Sequence, residues 1–133
     1  MQSRPLYTHD SRTLLVDVSL TREGELLEQL NRAGFRTDVA VSWSAARAAL
    51  GANYYHSCVV VANLNEAATL ERLDELRRAA LRVWIVVLSD LQTDSGLELA
   101  RQQGVDAVLS TPFSVHGLTS RLAEFSLRAR PAT

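Results

Sequence analysis

The polar residues that could take part in chemistry stand at or just after apolar segments of the sequence: Asp17, Asn63, Ser89 and Thr111. A carboxylate or an amide oxygen can hold a hard cation, and a hydroxyl can donate a hydrogen bond to an anion. Ligand sites in open parallel sheets lie outside the carboxyl ends of the strands, near the point where the strand order reverses. These four side chains therefore mark a candidate site, provided that the segments before them are neighbouring strands.

The composition excludes several kinds of catalysis. All 14 basic residues of the 133 are arginine, so there is no Schiff-base lysine and no P-loop lysine. The single cysteine, Cys58, gives neither an internal disulfide nor a multi-cysteine metal site. The sequence also offers no glycine-rich phosphate loop after its first apolar segment, no Ser-His-Asp set and no metal-spaced cluster. We expect a protein that is not an enzyme and has no cofactor.

Charge and hydropathy favour a cytoplasmic protein. The formal net charge of -1 provides no general attraction to nucleic acid or to an anionic membrane. The longest apolar runs, such as Val83–Leu88, are far shorter than the roughly 20 residues of a membrane span. The first dozen residues contain no stretch typical of a signal peptide. We therefore expect no membrane contact, and nucleic acid is an unlikely partner.

Five apolar segments are predicted to be strands. Four segments lack polar alternation, which is typical of strands buried on both faces: Thr13–Asp17, Cys58–Asn63, Val83–Ser89 and Ala107–Leu109. The fifth, Thr37–Val41, alternates between polar and apolar residues like a half-covered edge strand. Between the strands lie segments whose apolar residues have helical spacing. Two shorter helices are predicted at Ser44–Leu50, with Ser44 as the cap, and at Thr93–Gln103, which Thr93 caps and Gly104 ends. Five strand–helix repeats predict an α/β fold with a doubly wound five-stranded parallel sheet.

The strand ends resemble those of the receiver domain of bacterial two-component response regulators. The resemblance rests on Leu14–Asp17, Val59–Asn63, Ile85–Ser89 and the segment Gly104–Phe113, which occur in the family's order and at suitable spacings. It implies a flavodoxin-like (βα)5 fold with strand order 2-1-3-4-5. The receiver-like domain would then span residues 13–128, between an irregular arm at 1–12 and a tail at 129–133.

The departures from the family pattern fall on the residues that carry its chemistry. Val18 stands at the second acidic position, Asn63 at the phosphoacceptor and Thr111 at the lysine before Pro112. Val108 occupies the position of the aromatic switch residue. The resemblance therefore implies a degenerate, or pseudo-, receiver, in which the Thr111–Pro112 bond is cis.

These substitutions remove the means of phosphotransfer. An aspartyl phosphate needs a carboxylate nucleophile, and the neutral amide of Asn63 cannot form an acyl phosphate. Magnesium prefers several hard oxygen ligands, whereas Asp17 is the one matching acid left and a weak metal ligand at best. We expect Mg²⁺ binding to be weak or absent.

The resulting hypothesis is a signalling module that acts through protein–protein interaction without phosphorylation. The partner would be a sensor kinase, another regulator or an output domain. In the family, residues matching about 93–128 carry target or dimer contacts, so a homodimer through this surface is possible; the candidate positions are Glu98, Arg101, Gln102, Arg121 and Arg128. Trp43 is a further candidate anchor, with core packing as the alternative.

A second hypothesis is a small-ligand or anion sensor that uses the altered pocket at Asn63, Ser89 and Thr111. Structural roles are the alternative for these residues: Asn63 as a cap at a strand end, Asp17 as an acceptor for loop amides, and Ser89 as the start of a turn.

Overall fold

The computed structural model describes residues 12–18, 23–64, 66–89, 94–110 and 113–131. Strands and helices alternate along these residues as the sequence predicts. In chain order they are β1 (Arg12–Asp17), α1 (Glu23–Arg32), β2 (Arg36–Ala40), α2 (Trp43–Ala52), β3 (Ser57–Val61), α3 (Ala67–Ala79), β4 (Trp84–Ser89), α4 (Asp94–Gln102), β5 (Ala107–Ser110) and α5 (Val115–Ser126).

The strands form one parallel sheet in the order β2-β1-β3-β4-β5, which confirms the predicted fold class and strand order. The order reverses at β1, because the chain passes from β1 outward to β2 and then returns to β3 on the other side. In such a fold the ligand site is expected at the carboxyl ends of β1 and β3.

Both faces of the sheet are buried, and neighbouring residues of one strand enter different cores. Leu15, Val59 and Val86 share a core with α1 and α5. The next residues along these strands, Val16, Val60 and Val87, belong to a second core with α2, α3 and α4. Because successive side chains point to opposite faces, two covered faces require an unbroken apolar run. This requirement explains why the central strands lack polar alternation.

The beginning of α2 differs from the prediction. The helix begins at Trp43 and its cap is Ser42, whose Oγ accepts a hydrogen bond of 3.0 Å from the amide of Ala45. Ser44, the predicted cap, already lies within the first turn. Ser42 takes this role because it has the extended backbone of a cap residue, with φ -148° and ψ 159°. The predicted cap Thr93 lies outside the described residues, and α4 ends at Gln102, two residues before Gly104 at φ 90°.

Some strand ends also differ from the predicted bounds. β3 ends at Val61, two residues before Asn63, and β2 ends at Ala40, one before Val41. β1 and β2 begin one residue earlier than predicted, at Arg12 and Arg36. Apolar character marks burial, whereas a strand ends where its ladder of backbone hydrogen bonds ends. The two limits need not coincide.

The residues after α5 fold back onto the amino edge of the sheet. The indole Nε1–H of Trp84 donates to the carbonyl of Arg128 at 3.2 Å, and the Arg128 guanidinium lies 5.0 Å from the centre of that ring. Trp84 also stacks on Phe125 at 4.3 Å between ring centroids. Arg128, the last residue of the predicted domain, thus packs against Trp84.

An ionic cluster joins that segment to the end of α3 and to the start of β5. The carboxylate of Asp106 accepts hydrogen bonds from Arg77 at 2.8 Å, from Arg130 at 2.9 Å and from the backbone amide of Ile85 at 2.8 Å. The three side chains Arg77, Asp106 and Arg130 are only 10–15 % exposed. Burial lowers the pKa of the Arg77 guanidinium, and the charge of Asp106 opposes that shift.

Candidate functional site

The parallel register brings three of the predicted site residues to the carboxyl edge of the sheet. Asp17 ends β1 opposite Val61 of β3, and Val61 in turn pairs with Leu88, the residue before Ser89. Asn63 follows two residues after β3. Asp17 and Ser89 are almost completely buried, whereas Asn63 is exposed. Asn63, which the resemblance matches to a phosphoacceptor, is therefore exposed to solvent, whereas the two strand-end residues are not.

The hydroxyl of Ser89 binds the loop that follows β3. Its Oγ accepts a hydrogen bond of 3.2 Å from the backbone amide of Leu64, the residue after Asn63. Leu64 itself is buried, and the carbonyl of Asn63 accepts from the amide of Glu66 at 3.2 Å. This short loop is thus held against the end of β4, and one acceptor site of the Ser89 oxygen is used by the backbone.

The described part of the site does not match what a magnesium ion requires. Val18, at the second acidic position, is half-buried and packs against the core shared by α2, α3 and α4. Asp17 and Asn63 contribute one carboxylate and one amide, and no group of three His, Cys, Asp or Glu within the described residues could hold a metal ion. A hard octahedral cation favours several carboxylates, so this donor set does not fit it.

The other two pocket residues, Thr111 and Pro112, lie outside the described residues. The switch position Val108 is half-buried, pairs with Val87 of β4 and packs against the same core as Val18.

The candidate partner surface on α4 and α5 is exposed where the structure describes it, from residue 94 onward. The five predicted positions, Glu98, Arg101, Gln102, Arg121 and Arg128, all face solvent. Leu99, at 42 % exposure, and Leu127, at 63 %, lie among them in the sequence and add apolar area. Arg128 also covers Trp84, so part of its side chain is engaged within the domain.

Trp43 combines the two roles that the sequence left open. It is half-buried and packs against the core, and it also lines an open groove of about 660 Å³ between α2 and α3. Arg47 and Arg72 line the same groove. These arginines belong to no sequence motif, and the packing of α2 beside α3 that brings them to one groove is not encoded by any local spacing.

The lone cysteine is not a nucleophile. Cys58 is fully buried in β3, and burial raises the pKa of its thiol to about 12. Tyr55, three residues earlier, donates to the carboxylate of Asp38 at 2.7 Å. Burial and this carboxylate raise the pKa of Tyr55 to about 12, while the hydrogen bond from Tyr55 and the charge of Arg12 lower that of Asp38.

No helix within the described residues is long and apolar enough to cross a membrane. The histidines that can be placed have no catalytic neighbours among these residues. His116 is exposed at the start of α5. His56 is buried, and its Nε2 donates a hydrogen bond of 2.7 Å to the carbonyl of Phe125, because a carbonyl oxygen can only accept. His56 thereby joins the start of β3 to the end of α5.

Comparison with known proteins identifies the fold. No family model matches the sequence, and a search of curated proteins finds no significant match. Among solved structures, an orphan response regulator of H. pylori is 25 % identical with a TM-score of 0.74, over 89 % of this chain and 97 % of the other. A receiver domain protein of Methanospirillum hungatei is 15 % identical with a TM-score of 0.78, over 87 % and 93 %.

A protein of Burkholderia pseudomallei whose name assigns it to pilus assembly is 17 % identical with a TM-score of 0.76, over 96 % of this chain and 95 % of the other. The fold is therefore that of the response-regulator receiver domain, in accordance with the resemblance seen in the sequence. At these identities the likeness defines the architecture, and the chemistry must be argued from the residues of this chain.

Proposed function

We propose that this chain is a receiver-type signalling module that binds a protein partner and does not pass through an aspartyl phosphate. The observation that carries the proposal is Asn63, a neutral amide exposed directly after β3 where the receiver fold places its phosphoacceptor. An amide nitrogen or oxygen cannot replace the carboxylate that attacks a phosphoryl donor. The chain would act by recognition, without enzymatic activity, and a cytoplasmic location stays a prediction.

Two features of the site support this proposal. The only buried acid at the described carboxyl edge is Asp17, so little negative charge is present to attract Mg²⁺. The hydroxyl of Ser89 accepts from the Leu64 amide, which ties the loop after β3 to β4. A loop held in this way favours a module whose state is fixed or is set by its partner, because a ligand can shift an equilibrium only through differential affinity.

The partner is proposed to bind residues 94–128, where exposed charged positions on α4 and α5 accompany Leu99 and Leu127. A sensor kinase, another regulator, an output domain or a second copy of the chain would fit a surface of this kind. The name of the Burkholderia neighbour offers assembly of a larger structure as a context for such binding.

The absence of phosphotransfer is tested by intact-mass measurement after incubation with acetyl phosphate and Mg²⁺. The wild-type chain is expected to gain no phosphate. The triple variant Asn63→Asp/Val18→Asp/Thr111→Lys is the positive comparator, since it restores the two acids and the lysine. A stable single-phosphate adduct on the wild-type chain would contradict the proposal.

The role of the pocket in recognition is tested by affinity capture with the same triple variant. If the variant is phosphorylated yet retains every partner of the wild-type chain, the pocket is vestigial and recognition occurs elsewhere. Charge reversal at Arg101 and Arg121 is expected to weaken capture under identical conditions. Unchanged capture by that double variant would exclude the α4–α5 surface.

The anion-sensor alternative requires the Ser89 hydroxyl to donate to the anion while its oxygen accepts from the Leu64 amide. It predicts saturable thermal stabilisation by a small anion that Ser89→Ala abolishes. Titration with phosphate, sulfate and acetate, using Ser110→Ala at the exposed end of β5 as the control, would detect it.

A further inference from the structure

A groove between α2 and α3 shares no lining residue with the candidate site at Asp17, Asn63 and Ser89 or with the α4–α5 surface. It is open to solvent, has a volume of about 660 Å³ and is lined by Ser42, Trp43, Ser44, Arg47, Ala48, Arg72 and Glu75. On this side of the sheet α3 lies between α2 and α4, since it contacts both. The groove and the α4–α5 surface can therefore be occupied at the same time.

The groove has an aromatic floor. The inner side of Trp43 packs against the core, so the indole is held in place, and its uncovered part lines the groove. Val41, two residues earlier, is 51 % exposed although it follows a strand of the sheet. A fixed, partly exposed tryptophan next to further apolar area is typical of the residues that dominate the binding energy of protein interfaces.

The groove carries more positive than negative charge. Arg47 is exposed and makes no ion pair with any residue that the structure describes. Arg72 contacts Glu75 through a single nitrogen, NH1, at 3.0 and 3.1 Å, which leaves the rest of its guanidinium for another acceptor. Two guanidinium groups thus face one carboxylate, in a chain whose net charge is negative. An occupant with carboxylates would complement them.

We propose that this groove binds an acidic amphipathic segment of a protein partner, with a bulky apolar side chain on Trp43 and carboxylates on Arg47 and Arg72. The inference rests on the proposed function only in that both concern partner recognition, and it assigns a second surface with its own chemistry. Guanidinium groups pair with carboxylates through two parallel hydrogen bonds, so the arginines would fix the orientation of the segment.

The test uses a fluorescein-labelled synthetic helix of about 15 residues, a length at which helicity in water is marginal but measurable. Its one face carries Leu and Phe and the other carries Glu. Two companion peptides replace every Glu by Gln or by Lys. Fluorescence anisotropy with the full chain is expected to show saturable binding of the Glu peptide, weakened by added salt, and at least about tenfold weaker binding of the Gln peptide.

The variant Arg47→Glu is the main probe, because the exposed position makes unfolding an unlikely cause of any loss. This variant is expected to bind the Glu peptide at least about tenfold more weakly than the wild-type chain does, and to bind the Lys peptide more tightly. Arg82→Glu, at an exposed arginine between α3 and β4 that belongs to neither proposed surface, is the matched control and should leave both affinities unchanged. Trp43→Ala should also lose binding, and its circular dichroism spectrum would show that the fold persists.

Three results would overturn the proposal: equal binding of the Glu and Gln peptides, equal losses in Arg47→Glu and Arg82→Glu, or concentration-dependent dimerisation that Arg47→Glu abolishes. The last, measured by sedimentation, would assign the groove to a second copy. Failure here leaves the proposed function standing if the Arg101/Arg121 variant still loses its partner, so the two failures are distinguishable.

Discussion

At the scale of single residues, the fold buries a cluster of charged groups at the amino edge of the sheet, opposite the candidate site. Asp106 receives two guanidinium groups and the amide of Ile85 at the amino edge of the sheet. Arg77 also donates to the carbonyls of Gly104 at 2.8 Å and Val83 at 2.7 Å. A buried guanidinium with this many acceptors is stable only while its counter-charge remains, because a buried charge without a partner is costly.

Removal of the Asp106 carboxylate is therefore expected to destabilise the protein strongly. Asp106→Ala should lower the free energy of unfolding by about 3 kcal/mol, since it leaves Arg77 and Arg130 without their anion. The free energy of unfolding of Asp106→Asn should lie between those of the wild-type chain and Asp106→Ala, because the amide oxygen can still accept from the backbone of Ile85. Urea denaturation would measure both.

The control for this change is Asp74→Ala, which removes the exposed i,i+4 pair with Arg78 and should cost less than about 0.5 kcal/mol. Equal losses for Asp106→Ala and Asp74→Ala would mean that the buried cluster contributes no more than a surface pair.

Alkaline stability depends on Cys58 and Tyr55. The chain has no lysine, so no ammonium group titrates in the same range. The unfolded thiol ionises near its ordinary pKa of 9.0, whereas the folded thiol keeps its proton until about 12. Because the folded state then binds more protons than the unfolded state, stability is complete below pH 9 and falls as the pH rises. The slope is at most about 1.4 kcal/mol per pH unit for each group.

The two groups are separated by substitution. Cys58→Ala should remove the fall between pH 9 and 10 and about half of the slope between pH 10 and 12, where both groups contribute. Tyr55→Phe should retain the fall between pH 9 and 10 and remove only its own half of the slope above pH 10. Equilibrium unfolding across this range would measure both slopes. An unchanged slope at pH 9–10 in Cys58→Ala would show that another group controls alkaline stability.

At the scale of elements, β1 and β4 end in Asp17 and Ser89 at the carboxyl edge, and α2 and α5 each begin after a serine whose side chain caps the first turn. The cap of α2 is the clearest case, because two serines compete for it. Only the Oγ of Ser42 reaches the amide of Ala45, and its own oxygen lies 3.4 Å from that of Ser44. Which of the two serines caps the helix depends on backbone conformation, and the positions of the serines in the sequence do not specify it.

Ser42→Ala is expected to cost about 1 kcal/mol of stability, because one amide of the first turn loses its acceptor. Ser44→Ala, within the helix, should change stability by much less, and alanine is the better helix former there. Thermal unfolding of the two variants side by side checks the assignment, and a larger loss in Ser44→Ala would refute it.

The sequence predicts the elements better than it predicts contacts between them. The central strands are recognisable because burial on both faces demands unbroken apolar runs, and their ends place Asp17, Asn63 and Ser89 at one edge through the parallel register. The Arg77–Asp106–Arg130 cluster joins residues 24 to 29 positions apart. No local spacing encodes such pairs, so the cluster, like the α2–α3 groove, becomes visible only when the fold is known.

At the scale of the whole molecule, the two edges of the sheet differ in what they do. The amino edge is closed by the ionic cluster, by the ring of Trp84 and by the segment after α5. The carboxyl edge carries an exposed amide and a loop held by one hydroxyl. Anchoring the fold at the amino edge leaves the other edge and the outer helix faces available for recognition, so substitutions there need not weaken the fold.

The segment after α5 is expected to stabilise the domain although it follows the last helix. Removal of residues 128–133 deletes the carbonyl that accepts from Trp84, the guanidinium over its ring, and the bonds from Arg130 to Asp106 and to the Leu81 carbonyl. The combined loss is about 4 kcal/mol if each hydrogen bond and the cation–π contact contribute their usual amounts. In a Trp43→Phe background, emission from Trp84 should shift to longer wavelength as its ring gains solvent, and the urea midpoint should fall.

Removal of residues 132 and 133 alone, which spares all of these contacts, should change neither quantity. If the longer truncation also left both unchanged, the packing of this segment on Trp84 would contribute nothing to stability, and the amino edge would depend on Arg77 and Asp106 alone.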